Sequence, residues 1–192
     1  MFKLGFVLAL YATAACVGLA FVYSGTETII ALRQQADLEA SLKELFPQGD
    51  AFEPGPAMCG TSSNPALIFN SYYLISREGA VIGMAVRASI NSYGGPLSAL
   101  VGIDIDQKIT RVKILSHSDT PGLGANAASS SYFVDRSTKT TFTGQFAGKS
   151  AGDSFAVKDD IIAITASTIT SRAVSALVKE CAARALEYFA AQ

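Results

Sequence analysis

Residues 66–90 read ALIFNSYYLISREGAVIGMAVRASI. Two runs rich in β-branched and aromatic residues, Ala66 to Ser76 and Ala80 to Ile90, are separated only by Arg77-Glu78-Gly79. A connection this short folds the second strand back against the first, so the pair predicts a hairpin. Leu97 to Ile105 and Ile109 to Ser116, joined through Asp106-Gln107-Lys108, predict a second hairpin. The sheet is therefore expected to be antiparallel.

Downstream, Asp119 to Gly152 is rich in Gly, Ser, Thr and Asn, with apolar islands at Tyr132-Phe133-Val134 and Phe142. A loop of that length in a compact domain is usually functional or disordered. The last segment has the period of a helix. Val174, Leu177, Val178, Cys181, Ala182, Ala185, Leu186 and Phe189 keep one apolar face, while Arg172, Lys179, Glu180, Arg184 and Glu187 fall elsewhere. Its amino end is expected near Thr170.

Upstream, Thr26 to Phe46 lacks Gly and Pro, and Leu38, Leu42, Leu45 and Phe46 recur at helical spacing. Pro47, Gly49, Pro54, Gly55 and Pro56 close that helix. Before it, Leu4 to Tyr23 is a run of 20 residues without Asp, Glu, Lys, Arg, His, Asn or Gln. Twenty helical residues span roughly 30 Å, the thickness of a bilayer's hydrocarbon core. An uncleaved transmembrane anchor is the first reading. A signal peptide, with Lys3 as its positive end and Thr13-Ala14-Ala15 near a cleavage site, is the second. A lipoprotein site ending in Cys16 is the third. Lys3 on one side and Glu27 on the other place the N-terminus in the cytoplasm and the rest of the chain outside.

The fold class is thus α+β. Residues 1–25 form the anchor, 26–50 an amphipathic helix linking it to the domain, and 51–192 one extracytoplasmic domain with an antiparallel sheet and a C-terminal helix. With 192 residues, 49% hydrophobic and 16% charged, the chain can build one sizeable core. A net charge of −1 with scattered basic residues leaves no footprint for nucleic acid. A single histidine, His117, excludes a site needing several imidazoles within one chain, and no metal site is expected. Cys59 and Cys181 are expected in a compartment that allows a disulfide, and two unrelated buried thiols are the equal alternative.

Three motif-like stretches fail on physical grounds. Gly122 to Ala127 fits G-x-G-x-x-A, yet no acidic residue stands about 20 positions on to hold a ribose. Gly148-Lys149-Ser150 would need a glycine at position 143, which is Thr143. No nucleophile elbow supports a serine triad with His117, and a loop histidine with a structural hydrogen bond is the expectation.

The informative cluster precedes the last helix. Thr165, Ser167, Thr168, Thr170 and Ser171 place five hydroxyls in seven positions. Such residues cap helix N-termini by accepting from free backbone N–H groups. The same N–H groups and the positive end of the helix dipole suit a phosphate. Composition alone favours capping.

Thr165 to Thr170 resembles the (Ser/Thr)-Gly-Ala-Thr-x-(Ser/Thr) motif of FMN-binding domains, whose last hydroxyl, here Thr170, carries FMN through a phosphodiester. Asp160 matches the acidic residue that precedes the motif. His117-Ser118-Asp119-Thr120-Pro121-Gly122-Leu123-Gly124 is similar to the family's H-x-E-T-P-G-L-G, with Asp for Glu. Tyr93-Gly94-Gly95-Pro96, Val101-Gly102-Ile103-Asp104 and Gln145-Phe146-Ala147-Gly148-Lys149 correspond in order. Within this family the chain resembles the G subunits of Rnf ion-translocating complexes. The related C subunits of Na+-translocating NADH:quinone reductases share the motifs and are usually longer.

The resemblance implies covalent FMN on Thr170, with Thr165, Ser167, Thr168 and Asp160 in the modification motif. It also brings Thr120, Gly122, Leu123 and Gly124 near the flavin, the glycines letting backbone N–H groups come close. Leu123 is expected either against the ring or as a core leucine. The implied function is an electron relay without a substrate of its own, in a membrane-bound ferredoxin:NAD+ oxidoreductase coupled to Na+ or H+ translocation. The implied partners are the other membrane subunits, including a second flavinylated one, and a flavin transferase for maturation. The alternatives are a C-type subunit, or a non-redox membrane-anchored structural or sensor protein of the same fold. Ala166-Ser167 departs from the family's Gly-Ala and adds side-chain atoms where the backbone approach is tight.

Overall fold

A computed structural model describes residues 2–55 and 64–191. It contains a long N-terminal helix, a five-stranded antiparallel sheet and a C-terminal helix. Cα packing divides the chain into two units, Met1–Ala40 and Ser41–Gln192.

The first unit is helical throughout its described residues, as part of α1 (Phe2–Leu45). The apolar run lies inside it with side chains bare: Leu19 is 71% exposed and Phe21 78%. Among the described residues this is one helix long and apolar enough to cross a membrane. Such a surface is unfavourable in water, and its length and composition suit a membrane anchor.

The second unit opens with the last residues of α1, where Leu42 and Leu45 are buried, followed by the buried Phe46. Its sheet follows chain order, β1 (Ala51–Pro54), β2 (Leu67–Arg77), β3 (Ala80–Asn91), β4 (Pro96–Asp104) and β5 (Ile109–His117), every neighbouring pair antiparallel. Arg77 pairs with Ala80, so the β2–β3 loop is the two residues Glu78 and Gly79. Their φ angles of 53° and 83° match the right-handed twist of a tight hairpin. The edge strand β1 was not foreseen, being four residues long and ending in proline.

Alternation along the central strands sorts their side chains between two faces. Met84, Val86, Ala88 and Ile90 of β3 and Leu97, Ala99, Val101 and Ile103 of β4 join the core that includes α2 (Thr168–Ala190). On α2 most of the foreseen face is buried: Val174, Leu177, Val178, Cys181, Ala182 and Ala185 are each 0% exposed, while Leu186 and Phe189 are half-buried against the same core. The opposite face of the sheet receives Phe46. A Cβ added to Gly83 would stand 2.6 Å from its ring, and one at Gly102 would stand 2.9 Å away. The glycine of Val101-Gly102-Ile103-Asp104 therefore makes room for an aromatic side chain.

The segment after β5 is ordered by its own aromatic anchors. It holds 3-10 turns at Gly124–Ala128 and Gly144–Phe146 and a small hairpin of β6 (Phe133–Asp135) and β7 (Thr140–Thr141). Phe142 and Phe146 are fully buried, edge to face with ring centroids 5.8 Å apart.

One expectation changes. His117 ends β5 instead of lying in a loop, and its Nδ1 is buried without a hydrogen-bond partner. Cys181 is a free thiol in the core, its pKa pushed up by burial, while Cys59 lies outside the described residues.

Candidate functional site

The loop that leaves β5 and the start of α2, far apart in sequence, form one cavity of about 440 Å³. Tyr93, Asp119, Thr120, Leu123, Gly124, Ala166, Ser167, Thr168, Ile169 and Thr170 line it. Its size suits a small ligand. Of the residues singled out by the motifs, Thr120, Leu123, Gly124, Ser167, Thr168 and Thr170 come together here. Gly122 and Thr165 are exposed and do not line the cavity.

Asp160 is also exposed and lies outside the cavity, where it accepts a short hydrogen bond from Ser154. That bond holds its carboxyl below the ordinary value of 3.8, helped by the backbone of Ala156 and Phe155 and by Lys149. Its visible work is to brace the loop that precedes the hydroxyl cluster. Gln145 braces the same approach from the other side: its Oε1 accepts from Ile162 N at 2.8 Å and its Nε2 donates to Ile162 O at 3.1 Å.

The hydroxyls do not cap α2 as expected. Ser167 sits at the N-cap with φ −136° and ψ 45° and makes no side-chain cap bond. Ser171 turns inward, donating from Oγ to Ser167 O at 2.9 Å and accepting from Ile164 N at 3.0 Å. Helix geometry leaves the first N–H groups of α2 without partners inside the helix, and Ser167 does not supply one. Those donors and the dipole favour an anion at this end of the cavity.

Ser167 N donates to Ile164 O at 3.0 Å, closing a turn over 164–167. Ala166 is its third residue, with φ 60°. A type II turn demands that sign at this position and glycine satisfies it without strain. The glycine of the family motif is thus a conformational requirement, and Ala166 meets it at a cost.

Thr170 is 0% exposed, and its Oγ1 donates to Asp119 Oδ1 at 3.2 Å. The same Oδ1 accepts from Gly94 N at 2.8 Å. Asp119 is 7% exposed, and its Oδ2 is buried without a hydrogen-bond partner. Glycines make the slot that holds it. A Cβ on Gly124 would stand 2.6 Å from Asp119 Cγ, and one on Gly94 would stand 2.6 Å from Asp119 Cα. Gly124 therefore serves a carboxylate, whereas Gly122, at φ 79° with open space around it, serves the turn.

Sequence reading missed Asp119 as a site residue, together with Tyr93 and Gly94. The signal was present in the acidic position of the 117–124 motif, but its partner is 51 residues away. The cavity's outer rim is apolar and open: Tyr93 is 74% exposed, Ile169 57% and Leu123 42%. Leu123 is therefore not a core leucine. A polar end at α2 and an apolar rim fit a molecule with a phosphate at one end and a flat hydrophobic ring at the other, as FMN has. A second cavity of about 470 Å³ is lined by Glu44, Arg111 and Lys113 among others, and Ala147 alone of the motif residues borders it.

The FMN-binding domain family matches residues 92–183, and the family described as the RnfG N-terminal region matches residues 1–45. The G subunit of a proton-translocating ferredoxin:NAD(+) oxidoreductase complex from Clostridium ljungdahlii is 39% identical over 114 residues, 57% of this chain and 56% of that protein. The G subunit of the Na(+)-translocating ferredoxin:NAD(+) oxidoreductase complex from Acetobacterium woodii is 32% identical over 193 residues, 91% of this chain and 86% of that protein. The chain thus spans about half the length of the first relative and most of the second. In fold it is similar to the crystal structure of Shewanella oneidensis NqrC, with a TM-score of 0.51, 14% identity, and coverage of 78% of this chain and 88% of that one.

Proposed function

The chain belongs to the G-subunit family of ion-translocating oxidoreductase complexes, and we propose that it carries FMN as a phosphodiester on Thr170 and relays electrons within such a complex. The observation that carries this reading is the meeting of the Thr120–Gly124 loop and the Thr170 hydroxyl in one cavity. Free N–H groups at the start of α2 and the hydroxyl of Thr168 would hold the phosphate. Tyr93, Leu123 and Ile169 would lie against the ring. Bound FMN supplies one- or two-electron chemistry, and the residues around it supply position and electrostatics.

A link through the phosphate leaves the ring free to approach partners and holds its local concentration high. That matters most outside the cytoplasm, the side that Lys3 and the charge-free run of α1 favour for the domain under the positive-inside bias. In the Rnf scheme electrons pass between ferredoxin and NAD+ while Na+ or H+ crosses the membrane. The other membrane subunits, one of them also flavinylated, would be the immediate partners, and a flavin transferase would attach the cofactor. The G-type reading is preferred over the C-type one because the Acetobacterium relative aligns along 86% of its own length.

The test is a denaturing gel of protein from its native host, viewed under ultraviolet light, with intact-mass analysis beside it. The wild-type chain should fluoresce and weigh one FMN, less water, above the polypeptide. Thr170→Ala should be dark and unmodified. A fluorescent Thr170→Ala band would place the flavin elsewhere.

A further inference from the structure

We propose that Asp119 is the base that takes the proton of Thr170 when the flavin is attached, so that this chain brings part of the chemistry of its own modification. The inference rests on Thr170 being the attachment point. An alcohol is a poor nucleophile until its proton has somewhere to go. Here the only hydrogen bond of Thr170 Oγ1 found among the described residues is to Asp119 Oδ1, at 3.2 Å. The distance is at the long end of the range expected for a base and its nucleophile before the reacting complex forms.

Folding alone does not explain a carboxylate at this point. Asp119 is only 7% exposed, and Oδ2 has no partner. A buried charged oxygen without a hydrogen bond is costly. An asparagine would keep an oxygen for Gly94 N and Thr170 Oγ1 and avoid burying that charge. Gly124 clears the space the carboxylate occupies, since a Cβ there would collide with Asp119 Cγ, and Gly94 lets the backbone of Ser118 and Asp119 come close enough for its N–H to reach Oδ1. What the acid has and the amide lacks is basicity, beside the one hydroxyl that must lose a proton.

The reaction balances without an oxidant or reductant. The donor is a flavin nucleotide whose phosphate is activated as a pyrophosphate, such as a flavin adenine dinucleotide. Thr170 Oγ1 forms a bond to the flavin-side phosphorus, and the phosphoanhydride P–O bond breaks. The nucleoside monophosphate leaves with the bonding electrons, and the Oγ1 proton passes to Asp119 Oδ1. The N–H groups at the start of α2 face the charge on the transferring phosphoryl group. General-base assistance is typically worth about 10²- to 10⁴-fold in rate.

The experiment uses the full chain in detergent, prepared without flavin, with purified flavin transferase and flavin adenine dinucleotide. In-gel fluorescence follows loading over a range of chain concentrations. D119N should lower the rate constant at saturating chain by about 100-fold or more, with KM for the chain little changed and a melting temperature no lower than wild type. Loading of D119N at the wild-type rate would overturn the assignment, as would a loss confined to KM. Should D119N not fold, D119A decides: added formate, a small carboxylate able to enter the space left behind, should raise its loading rate about tenfold, and no rise would overturn the assignment. A wild-type chain that takes up no flavin, or a T170A chain that takes up as much, would instead overturn the attachment at Thr170.

Discussion

Replacing Ala166 with glycine should stabilise the domain, although it removes a methyl group. Ala166 sits at φ 60°, a left-handed conformation that costs an ordinary L-residue about 1–2 kcal/mol. Glycine removes that cost but adds freedom to the unfolded chain, which offsets about 0.4–1 kcal/mol. Ala166 is exposed, so little packing is lost. The balance is a gain of about 0.5–1 kcal/mol. For a unit spanning Ser41–Gln192, a melting temperature moves about 2–4 °C per kcal/mol, so A166G should melt about 1–4 °C higher. The assay is thermal unfolding of the full chain in detergent, followed by near-ultraviolet circular dichroism. A163G is the control, since Ala163 is not among the positive-φ residues and glycine there should cost about 0.4–1 kcal/mol through the freedom it adds to the unfolded chain. If A166G melts at or below wild type, or A163G rises equally, the strain assigned to the 164–167 turn does not exist.

Leu177 is 0% exposed beneath α2, and Leu177→Ala should cost about 2–5 kcal/mol, read as a lower denaturation midpoint with an unchanged slope in urea. The Ser154 hydrogen bond lowers the Asp160 pKa, so its stabilisation is fully present above the ordinary value of 3.8 and is lost as pH falls through the lower folded value. Ser154→Ala should therefore melt slightly below wild type at pH 6, with the gap closing on acidification below about pH 4; a gap that persists unchanged at pH 2 would point to packing instead.

Much of the fold was legible because its signals are local. β2 begins at Leu67 and β3 at Ala80, within one residue of their predicted starts, since β-branched and aromatic runs end at turn residues. The buried face of α2 followed from its period. β1 was hidden because four residues ending in proline carry no period, and its place is set by pairing with β2. At the site, the hydroxyl cluster and the 117–124 loop were visible as motifs, but their joining through Asp119 depends on tertiary structure. Capping failed for a similar reason: Ser171 met the Ile164 N–H and the Ser167 carbonyl, partners that composition cannot reveal. The departure at Ala166 was readable; the sign of its φ was not.

Thr170 has no surface of its own. An enzyme cannot work on an atom it cannot touch, so a transferase acting on this hydroxyl would meet only those molecules in which the loop residues 122–124 had momentarily swung away, with Asp119 still beside Thr170. The pace of maturation at Thr170 would then be the intrinsic pace multiplied by the fraction of time the door stands ajar, and each 1.4 kcal/mol of latch strength would slow it about tenfold. Amide exchange across residues 122–124 would measure that latch directly. A chain caught early, before the latch sets, should mature faster than one already fully folded.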